Sequence, residues 1–333
     1  MRAVYNCSVD PYFNLAAEEY LLMNADCDVF MLWRNSPSVI VGKNQNAWAE
    51  VNVDYVKDNG IPVVRRLTGG GAVFHDLENV NFSFITKASE GTKLNFEKFT
   101  RPIIDALSSF GVEASLDGRN DIVADGAKIS GNAECVVTNT RGEKVMLHHG
   151  TLLFNSDITK LAAALRADPE KMKSRGIKSV SSRVKNIRAL DSYRGPGDVG
   201  DFMEALFTAV SRGNGAEDLT EAEISGVEEL KRTKYSLWEW NYGSSPEFEI
   251  SNSARFPFGT VGVSLVCRHG KIDKVKFYGD FFGTEDVSSL EEILHGAKYD
   301  AKYALEILEK HRLLLSQCIS GAEPEQIAPL ICK

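Results

Sequence analysis

Short apolar segments and amphipathic helices follow one another in this chain without a regular strand–helix alternation. Val29–Trp33 and Ser38–Val41 are continuous apolar runs separated by Asn35-Ser36-Pro37, which predicts two buried strands. Residues 80–85 alternate between apolar and polar side chains, as in a half-buried strand, and residues 95–110 have the spacing of an amphipathic helix capped by Asn95. Because the strands are not each followed by a helix, the pattern favours an α+β fold over a doubly wound parallel sheet.

The chain divides at a turn-rich segment, residues 241–246, which is typical of a linker. Before it, helices are predicted at 12–23 and 156–166, and strands at 121–124, 128–130, 133–138 and 145–154. After it, a hairpin is predicted from strands at 256–267 and 272–282, followed by a helix opening at the capping box Ser289-x-x-Glu292 and a helix over 298–315. We therefore expect a larger domain over 1–243, with its core at about 27–213, and a small ββαα domain over 247–333.

Length and charge exclude several classes of protein. With 333 residues, the chain is too long for one small core and suits two domains. It has 38 Lys and Arg against 46 Asp and Glu, and the net charge of −8 disfavours a nucleic-acid partner, which needs a basic footprint. No apolar run is long enough to span a bilayer, and the first residues lack the apolar region of an export signal. We expect a cytoplasmic protein with no membrane partner.

The six cysteines are scattered along the chain, with no C-x-x-C pair. Buried thiols in a reducing compartment are the preferred interpretation over disulfides or a metal site. An acyl-carrying thiol at Cys135 is the alternative, but no basic residue flanks Cys135 to lower its pKa.

The densest functional pattern is the segment RRLTGGGAVFHD, residues 65–76. Three consecutive glycines let the backbone approach a ligand closely and turn its N–H groups toward it. Arg65 and Arg66 would supply charge-assisted donors to a phosphate or a carboxylate. The segment matches neither a Walker A loop nor a Rossmann fingerprint. A purely structural turn is the alternative interpretation, and the paired arginines favour a ligand site over it.

Two further segments carry side chains suited to an anionic ligand. Lys128 lies among small residues in GAKISGNA, residues 126–133, where a compact ammonium suits a phosphate oxygen. An edge-strand lysine that discourages aggregation is the alternative. Upstream, Asn120 and Asp121 lie at a predicted loop tip, where they suit a nucleobase edge or a magnesium ion.

Adjacent histidines and a basic stretch complete the set of candidates. Neighbouring side chains on a strand face opposite ways, so at most one of His148 and His149 can enter a given pocket, and a metal pair is disfavoured. Between Arg166 and Arg188 there are eight basic residues and two acidic ones, so this stretch is positively charged although the whole chain is negatively charged. This stretch is either a solvated helix face or a segment that closes over an anionic ligand and docks an acidic partner.

Together these segments resemble the lipoate–protein ligase A family. The resemblance rests on RRLTGGGAVFHD, GRND, KISGNA, HHGTLL and SVSSRVKN in that order, with PYFNLAAEE, WRN and WEW, and it covers essentially the whole chain. It implies a mixed-sheet catalytic domain shared with biotin–protein ligases, plus a C-terminal accessory domain. It also implies that lipoate is activated with ATP and magnesium to lipoyl-AMP. The lipoyl group would then pass to a lysine on an acidic lipoyl domain of a 2-oxo-acid dehydrogenase complex or on the glycine-cleavage H protein.

The resemblance implies a role for individual residues. Lys128 would be the catalytic residue, bridging the α-phosphate and the acyl carboxyl group. The residues expected to bind ATP and the adenylate are Arg66, Gly71, Ala72, Val73, Phe74, Asn120, Asp121, Lys128 and Arg183. Those expected to bind the lipoyl group are Leu15, Glu18, Trp33, Thr68, Gly70, Gly71, Lys128, Ala133 and His149. Asp121 is the candidate magnesium ligand, with ATP and Mg²⁺ as a substrate complex and no tightly bound cofactor.

Two alternatives stay open from the sequence. An ATP-independent transferase of the same fold would move octanoyl or lipoyl groups between carrier proteins. Some such relatives carry the acyl group on a cysteine, but here no cysteine lies in the glycine segment, residues 65–76, or beside Lys128. A non-catalytic lipoate-binding protein would not need Arg66 or Lys128. Thr68 stands where the family more often has serine, and it keeps a hydroxyl group. Asn132 stands where serine or threonine is common, and it keeps a polar group. We expect a monomer.

Overall fold

The computed structural model describes residues 1–165, 183–244, 250–268 and 271–332. Within these ranges the N-terminal part contains the strands β1 (Arg2–Tyr5), β2 (Val29–Trp33), β3 (Ser38–Val41), β4 (Val63–Arg65), β5 (Val73–His75), β6 (Asn79–Lys87), β7 (Ala114–Asp117), β8 (Asp121–Ala124), β9 (Ala127–Thr138) and β10 (Lys144–Leu153). The larger sheet has the order β1-β2-β6-β10-β9-β8-β7, with β1 and β2 parallel and the other neighbours antiparallel. The smaller sheet has the order β4-β3-β5, with one parallel and one antiparallel pair. The predicted α+β class with mixed sheets is confirmed.

Helices cover both faces of the larger sheet. They are α1 (Pro11–Asn24), α2 (Ala47–Glu50), α3 (Val53–Asp58), α4 (Phe96–Ser109), α5 (Ile158–Ala164), α6 (Val199–Ser211) and α7 (Glu221–Leu230). The side chain of Asp10 caps α1 by accepting backbone N–H groups of its first turn, and Asn95 caps α4 as predicted. Among the described residues, no helix combines the length and the hydropathy that a bilayer span requires.

The side chains of β2 pack into two different cores. Phe30 and Leu32 belong to the core under α4 and α6, whereas Met31 and Trp33 belong to the core under α1. A strand buried on both faces reads as a continuous apolar run, which explains why the sequence pattern located β2 correctly. The alternation places Trp33 on the α1 face of the sheet, and this is the face that carries the cavity described below.

Several boundaries differ from the predictions. The strands predicted at 128–130 and 133–138 are one strand, β9, and the helix predicted at 156–166 is the shorter α5, capped by Asp157. Strand β1 was not predicted, although four backbone partners in β2 fix its position. Its short sequence has no turn residues or alternation that distinguish it from a loop.

The C-terminal part forms a separate core and contains more elements than the predicted ββαα order. Its described elements are β11 (Ile250–Phe256), β12 (Gly259–Arg268), β13 (Lys271–Gly279), α8 (Ser288–Leu294), α9 (Ala301–Lys310), α10 (Arg312–Cys318) and α11 (Pro324–Ile331). The predicted hairpin is confirmed as β12 and β13. The ββαα order is corrected because a further strand, β11, pairs with β12, and because the segment after β13 forms four helices.

Local backbone chemistry accounts for the extra C-terminal elements. Pro257 and Phe258 form a two-residue turn, and Gly259, with φ of +137°, opens β12, so the run that begins at Phe256 does not continue as one strand. The helix predicted over 298–315 is interrupted at His311, which separates α9 from α10. Helix α8 has no side-chain cap of its own, and the backbone N–H of Ser288 bonds the Asp286 carboxylate, so the predicted capping box is wrong.

The C-terminal part contacts the glycine segment of the N-terminal part. The backbone N–H of Gly70 donates to the carbonyl oxygen of Phe281 at 3.2 Å. The next side chain, Phe282, packs its ring 5.1 Å from that of Phe96, and the Arg119 guanidinium lies 4.4 Å from the centre of the same ring. The two parts therefore meet beside the residues that the sequence singles out for ligand binding.

Candidate active site

A cavity with an open volume of about 610 Å³ is lined by residues from both N-terminal sheets. The predicted site residues that line it are Leu15, Trp33, Arg66, Gly70, Gly71, Ala72, Val73, Asn120, Lys128, Ala133 and His149. The structure adds lining residues that the sequence did not single out as site residues: Ile40, His75, Asn81, Gly131, Asn132, Gly150 and Thr151. Segments far apart in the chain are thus brought to one place.

The other predicted site residues lie around the cavity without lining it: Glu18, Thr68, Phe74, Asp121 and Arg183. The Phe74 side chain is buried in the apolar core of the smaller sheet, so only its backbone could approach a nucleotide. Asp121 forms an ion pair with Lys128, and the backbone carbonyl of Arg183 accepts the N–H of Lys128 at 2.9 Å.

A buried hydrogen-bond chain holds His149 at the cavity wall. The Nε of Arg66 donates to the Thr68 hydroxyl at 2.9 Å, and the oxygen of that hydroxyl lies within hydrogen-bond distance of Nε2 of His149, at 2.7 Å. The Nδ1–H of His149 then donates to the Glu18 carboxylate, at 2.8 and 2.9 Å to its two oxygens. Thr68 and Glu18 therefore fix the tautomer and orientation of His149 from behind the cavity.

The same chain reaches the large apolar side chain of the cavity. The Glu18 carboxylate accepts the Ser83 hydroxyl at 2.6 Å, and that hydroxyl accepts the indole N–H of Trp33 at 2.9 Å. Leu15, one helical turn before Glu18, and Ala133, the register partner of His149, complete this side of the cavity. The result is an apolar end in which the polar atoms of Trp33, Ser83, Glu18 and His149 are paired with one another, which suits an alkyl chain.

Arg66 holds the glycine segment in shape. Its Nη2 donates to the carbonyl oxygens of Gly69 and Gly71 at 2.6 and 2.9 Å, and its Nη1 donates to Ile40 at 3.2 Å. Burial lowers the pKa of the guanidinium to about 10, so it stays positively charged at neutral pH. The expected donation to a ligand is thus largely replaced by donation to the loop itself, because the loop folds back over the guanidinium.

Substitutions within the glycine segment should separate ligand contact from loop structure. A Cβ at Gly71 would meet nothing closer than Asp280, at 4.0 Å, whereas a Cβ at Gly69 would lie 2.1 Å from the Phe281 carbonyl oxygen. We expect Gly71→Val to keep the melting temperature and to slow adenylate formation by about 10²-fold, as displaced reactants do. We expect Gly69→Ala to lower the melting temperature. Equal losses of stability in the two variants would show that the segment is only a structural turn.

Arg65 faces away from the cavity, which corrects its expected role as a ligand donor. It is fully buried, and its guanidinium donates at 2.7–3.1 Å to backbone carbonyls of Gly42, Lys43, Gln45, Trp240 and Asn241. The partners come from two segments distant in sequence, so composition alone could not distinguish Arg65 from Arg66. Arg65 ties these two segments to β4.

Lys128 lies at the polar end of the cavity, and Asp121 pairs with it from beside the lining. The Lys128 ammonium lies 2.7 Å from the Asp121 carboxylate, and both side chains are partly exposed, at 28% and 21%. The β8–β9 register shifts beside Lys128, so that Ile129 has no cross-strand partner. Such a bulge re-aims the neighbouring side chain, which accounts for a lysine that enters the cavity from a strand with a buried isoleucine next to it.

His75 presents a polar atom to the cavity that the sequence did not single out. Asn35 accepts the Asn14 amide through Oδ1, so the Asn35 Nδ2 must donate to His75 Nδ1, at 3.0 Å. The ring hydrogen of His75 is therefore on Nε2, and this atom has no hydrogen-bond partner among the described residues. His75 lines the cavity, so a bound ligand could accept that hydrogen bond.

His75 should make stability depend on pH. Burial lowers its pKa to about 3, whereas the unfolded chain has an ordinary imidazole near 6.5. Below about pH 6.5 the unfolded state binds a proton that the folded state does not, so this group's contribution falls by about 1.4 kcal/mol per pH unit towards pH 3. Urea unfolding at pH 7, 6 and 5 should show a smaller loss for His75→Gln than for the unchanged protein. The exposed His295→Gln is the control; an identical pH dependence in all three proteins would contradict the assignment.

The two adjacent histidines face opposite sides of the sheet, as the strand pattern predicted. His149 lines the cavity, and His148 is fully buried on the other face among phenylalanine rings. Among the described residues, no group of three or more His, Cys, Asp or Glu side chains could hold a metal ion. Residues 166–182 of the basic stretch lie outside the described residues; Lys185, which follows them, pairs with Asp125 at 3.4 Å.

Comparison with known proteins identifies the family. The profile of the lipoyl protein ligase A/B catalytic domain matches residues 10–211, and that of the bacterial lipoate protein ligase C-terminus matches residues 245–331. The lipoate-protein ligase LplJ of Bacillus subtilis is 45% identical over 305 residues, covering 90% of this chain and 91% of that protein. Lipoate–protein ligase 1 of Staphylococcus aureus is 42% identical over 318 residues, covering 94% and 95%.

Solved structures agree with the sequence relatives. LipL1 of P. falciparum, in complex with lipoate, aligns with a TM-score of 0.74 at 27% identity, over 93% of this chain and 94% of that chain. A lipoate-protein ligase A bound with ATP aligns with a TM-score of 0.58 at 27% identity, over 73% and 100%. The chain therefore belongs to the lipoate–protein ligase family and is an enzyme of the ligase class.

Proposed function

We propose that this enzyme activates lipoate with ATP to lipoyl-AMP and then transfers the lipoyl group to a lysine of a carrier protein. The observation that carries the proposal is one cavity with Lys128 at a polar end and Leu15, Trp33 and Ala133 at an apolar end. An acyl chain fits the apolar end, and its carboxylate then lies on the side where the ammonium of Lys128 can reach it. The ATP-bound and lipoate-bound relatives support the same two ligands.

In the first step, a carboxylate oxygen of lipoate attacks the α-phosphorus of ATP, and pyrophosphate leaves with the electrons of the broken bond. Both reactants are anions, so the cavity has to hold two negative charges together. Lys128 can contact both, and its charge stabilises the additional negative charge of the transition state more than that of the separate reactants. Neither step of this reaction requires a nucleophilic side chain.

In the second step, the neutral amine of the carrier lysine attacks the acyl carbonyl carbon of lipoyl-AMP. AMP leaves with the electrons of the acyl–oxygen bond, and the new amide nitrogen loses a proton to solvent. AMP is a good leaving group because its departing phosphate oxygen is only weakly basic and carries the negative charge well. Water would compete with the amine, so the adenylate has to be kept from solvent until the carrier lysine arrives.

Magnesium would enter as part of the ATP complex. Mg²⁺ is usually held by one or two carboxylates together with substrate phosphates, and Asp121 fits this requirement beside Lys128. The ion pair with Lys128 also implies that Lys128 changes its partner when ATP binds. We propose that the Asp121 carboxylate leaves the ammonium as ATP binds, which frees Lys128 for the α-phosphate. Asn120, which lines the cavity next to Asp121, would contact the adenylate.

The buried state of Cys135 argues against the thiol-carrying alternative. Burial raises the pKa of its thiol to about 12, so the thiolate is scarce at neutral pH. Cys135 also does not line the cavity that holds Lys128. An acyl-cysteine intermediate therefore has no support at this position, and the ligase route is preferred.

Carrier proteins and organisation complete the proposal. A bipartite lipoate protein ligase of Thermoplasma acidophilum was solved with its E2 lipoyl domain as a lipoylation system, which supports lipoyl domains of 2-oxo-acid dehydrogenases as carriers. The glycine-cleavage H protein is the second expected carrier. We place the division of the chain between residues 243 and 247. The cytoplasmic location and the monomeric state remain predictions.

The test is transfer to a purified apo lipoyl domain. With lipoate, ATP and Mg²⁺, intact-mass analysis should show one lipoyl group on the domain, and omission of ATP should abolish it. A transferase would instead modify the domain from an octanoylated carrier without ATP. A binding protein would retain lipoate and modify nothing. Either of the last two results would overturn the ligase proposal.

A further inference from the structure

His148 and Glu134 form a buried polar pair behind the cavity. The Nδ1 of His148 lies 2.8 Å from an oxygen of Glu134, and both side chains are fully buried. The imidazole stacks on Phe99 and Phe82, with ring centres 5.1 and 5.9 Å apart. Replacing such a buried pair by apolar residues of similar volume is often neutral or stabilising, so stability alone does not explain its presence.

The hydrogen bonds of Asn132 show which ring nitrogen of His148 donates to it. The Asn132 Nδ2 donates to the backbone carbonyl of Asn120 at 3.0 Å and to the Ser130 hydroxyl at 3.2 Å. This orientation turns the Asn132 Oδ1 toward His148 Nε2, at 3.3 Å. Since Oδ1 can only accept, His148 Nε2 must carry a hydrogen and donate it.

The proton count of the pair follows from that orientation. With a hydrogen on Nε2, one further proton is shared between His148 Nδ1 and Glu134, and the pair has no net charge wherever that proton lies. Burial lowers the pKa of His148. The other Glu134 oxygen accepts the backbone N–H of Asn95 at 2.8 Å, which anchors the pair to the start of α4.

Gly150 leaves the space that this orientation of Asn132 requires. A Cβ at Gly150 would lie 2.2 Å from the Asn132 Oδ1 and 2.4 Å from the Phe82 ring. Glycine at this position lets the carboxamide and the phenylalanine that stacks on His148 share one face of the sheet. The Asn132 amide is therefore held both by packing and by hydrogen bonds.

Asn132 in turn holds the turn that carries Asp121. Its backbone N–H donates to the Asn120 carbonyl at 2.9 Å, and the Asn120 side chain donates to the Asn132 carbonyl at 2.5 Å. Asn120 and Asn132 both line the cavity, and Asp121, the next residue, holds Lys128. A continuous set of contacts thus joins the buried pair to the lysine of the polar end.

We propose that His148 is a positioning residue for adenylation: anchored by Glu134, it fixes the Asn132 carboxamide and through it the Asn120–Asp121 turn beside Lys128. This inference rests on the proposed function for the reaction it assists. It predicts that losing the hydrogen bond from His148 Nε2 to Asn132 Oδ1 affects the end of the cavity that binds ATP. The apolar end, lined by Leu15 and Trp33, should be affected little.

A matched pair of double variants isolates the donor. Glu134→Gln combined with His148→Leu avoids an unpaired buried charge and still offers a carbonyl to Asn95, but it removes the donor to Asn132. Glu134→Gln combined with His148→Gln has the same background and restores an N–H of suitable length. Lipoate-dependent exchange of pyrophosphate with ATP is measured for both, with thermal unfolding as a check on the folded fraction.

We expect the leucine variant to lose about tenfold or more in kcat/KM for ATP, with the KM for lipoate changed less than twofold, and the glutamine variant to regain most of the loss. In an Asn132→Ala background, the same leucine change should have no further effect on exchange. A Phe99→Leu variant, which disturbs the ring stack and leaves the donor, should lose stability without this kinetic change.

Equal kcat/KM values for the two double variants, or a full additional loss in the Asn132→Ala background, would overturn the positioning role. Absence of lipoate-dependent exchange in the unchanged protein would instead overturn the proposed function. The two failures are therefore distinguishable in one experiment.

Discussion

A Lys128→Ala protein is expected to fold normally and to release pyrophosphate about 10²–10³ times more slowly, with lipoate and ATP at saturation. The side chain is partly exposed, and its ion pair is with a partly exposed carboxylate, so its removal costs little stability. Its charge acts chiefly on the transition state, where two anionic groups share one bond. The rate is measured by coupled detection of pyrophosphate, and folding by circular dichroism and thermal unfolding.

Two control variants sharpen that result. Lys128→Arg should recover little of the rate, because a planar guanidinium does not replace a compact ammonium between two oxygen atoms. Lys160→Ala removes an exposed lysine of α5 that pairs with Asp157 at 3.8 Å and does not line the cavity, so its rate should stay within about twofold of the unchanged protein. A folded Lys128→Ala protein with nearly normal pyrophosphate release would remove Lys128 from the mechanism.

Arg65→Met is expected to have the largest effect on stability, a loss of at least about 3 kcal/mol in the free energy of unfolding. The substitution keeps an unbranched apolar side chain of similar length but leaves five backbone carbonyls without their donor. The bonds to Gly42, Gln45 and Asn241 are buried and the other two are partly buried, so the five carbonyls cannot all be hydrated. Urea unfolding followed by tryptophan fluorescence measures the change.

Arg101→Met is the matched control for Arg65. Arg101 is 60% exposed on α4 and forms an exposed ion pair with Glu97 at 3.7 Å, so its replacement should change stability by less than about 0.5 kcal/mol. The Arg65 variant should also keep its rate of adenylation per folded molecule. A stable Arg65→Met protein that fails to bind ATP would instead restore the interpretation of Arg65 as a ligand donor.

Most of the predicted site residues line one cavity, and they could be found from the sequence because they occur in short, chemically specific runs. Lys128 was recognisable as an isolated lysine among small residues, and Asn120 with Asp121 as a polar loop tip. Strand alternation correctly gave the two histidines opposite environments. The apolar lining at Leu15, Trp33 and Ala133 came from the family resemblance, since apolar residues on buried strands carry no pattern of their own.

Other features depend on contacts between distant segments. The different tasks of Arg65 and Arg66 are set by carbonyls from β3, the following loop and residues 240–241, which no local pattern indicates. The docking of Phe281 on Gly70 depends on how two separately folded parts meet. His75 was visible in the glycine segment, but its tautomer is decided by Asn35, forty residues away in the chain.

The C-terminal part shows a limit of a different kind. The order ββαα followed from long apolar runs, whereas the structure breaks those runs at Gly259 and at His311. The first break has Pro257 and Gly259 at its turn, which an interpretation of the region as one apolar strand overlooked, whereas the second has neither a proline nor a glycine. Packing of α8 to α11 around a common core, with Leu290 and Leu308 fully buried, decides where each helix ends.

The most direct test of the central claim is the formation of lipoyl-AMP in the absence of any carrier protein. The purified enzyme is incubated with lipoate, ATP and Mg²⁺, and the bound nucleotide is analysed by mass spectrometry while pyrophosphate is measured in parallel. We expect lipoyl-AMP and pyrophosphate in equal amounts, one of each per enzyme molecule, and neither when lipoate is omitted or Lys128 is replaced by alanine. Lipoate binding without pyrophosphate release, in a folded protein, would contradict the claim that this cavity activates a carboxylate with ATP.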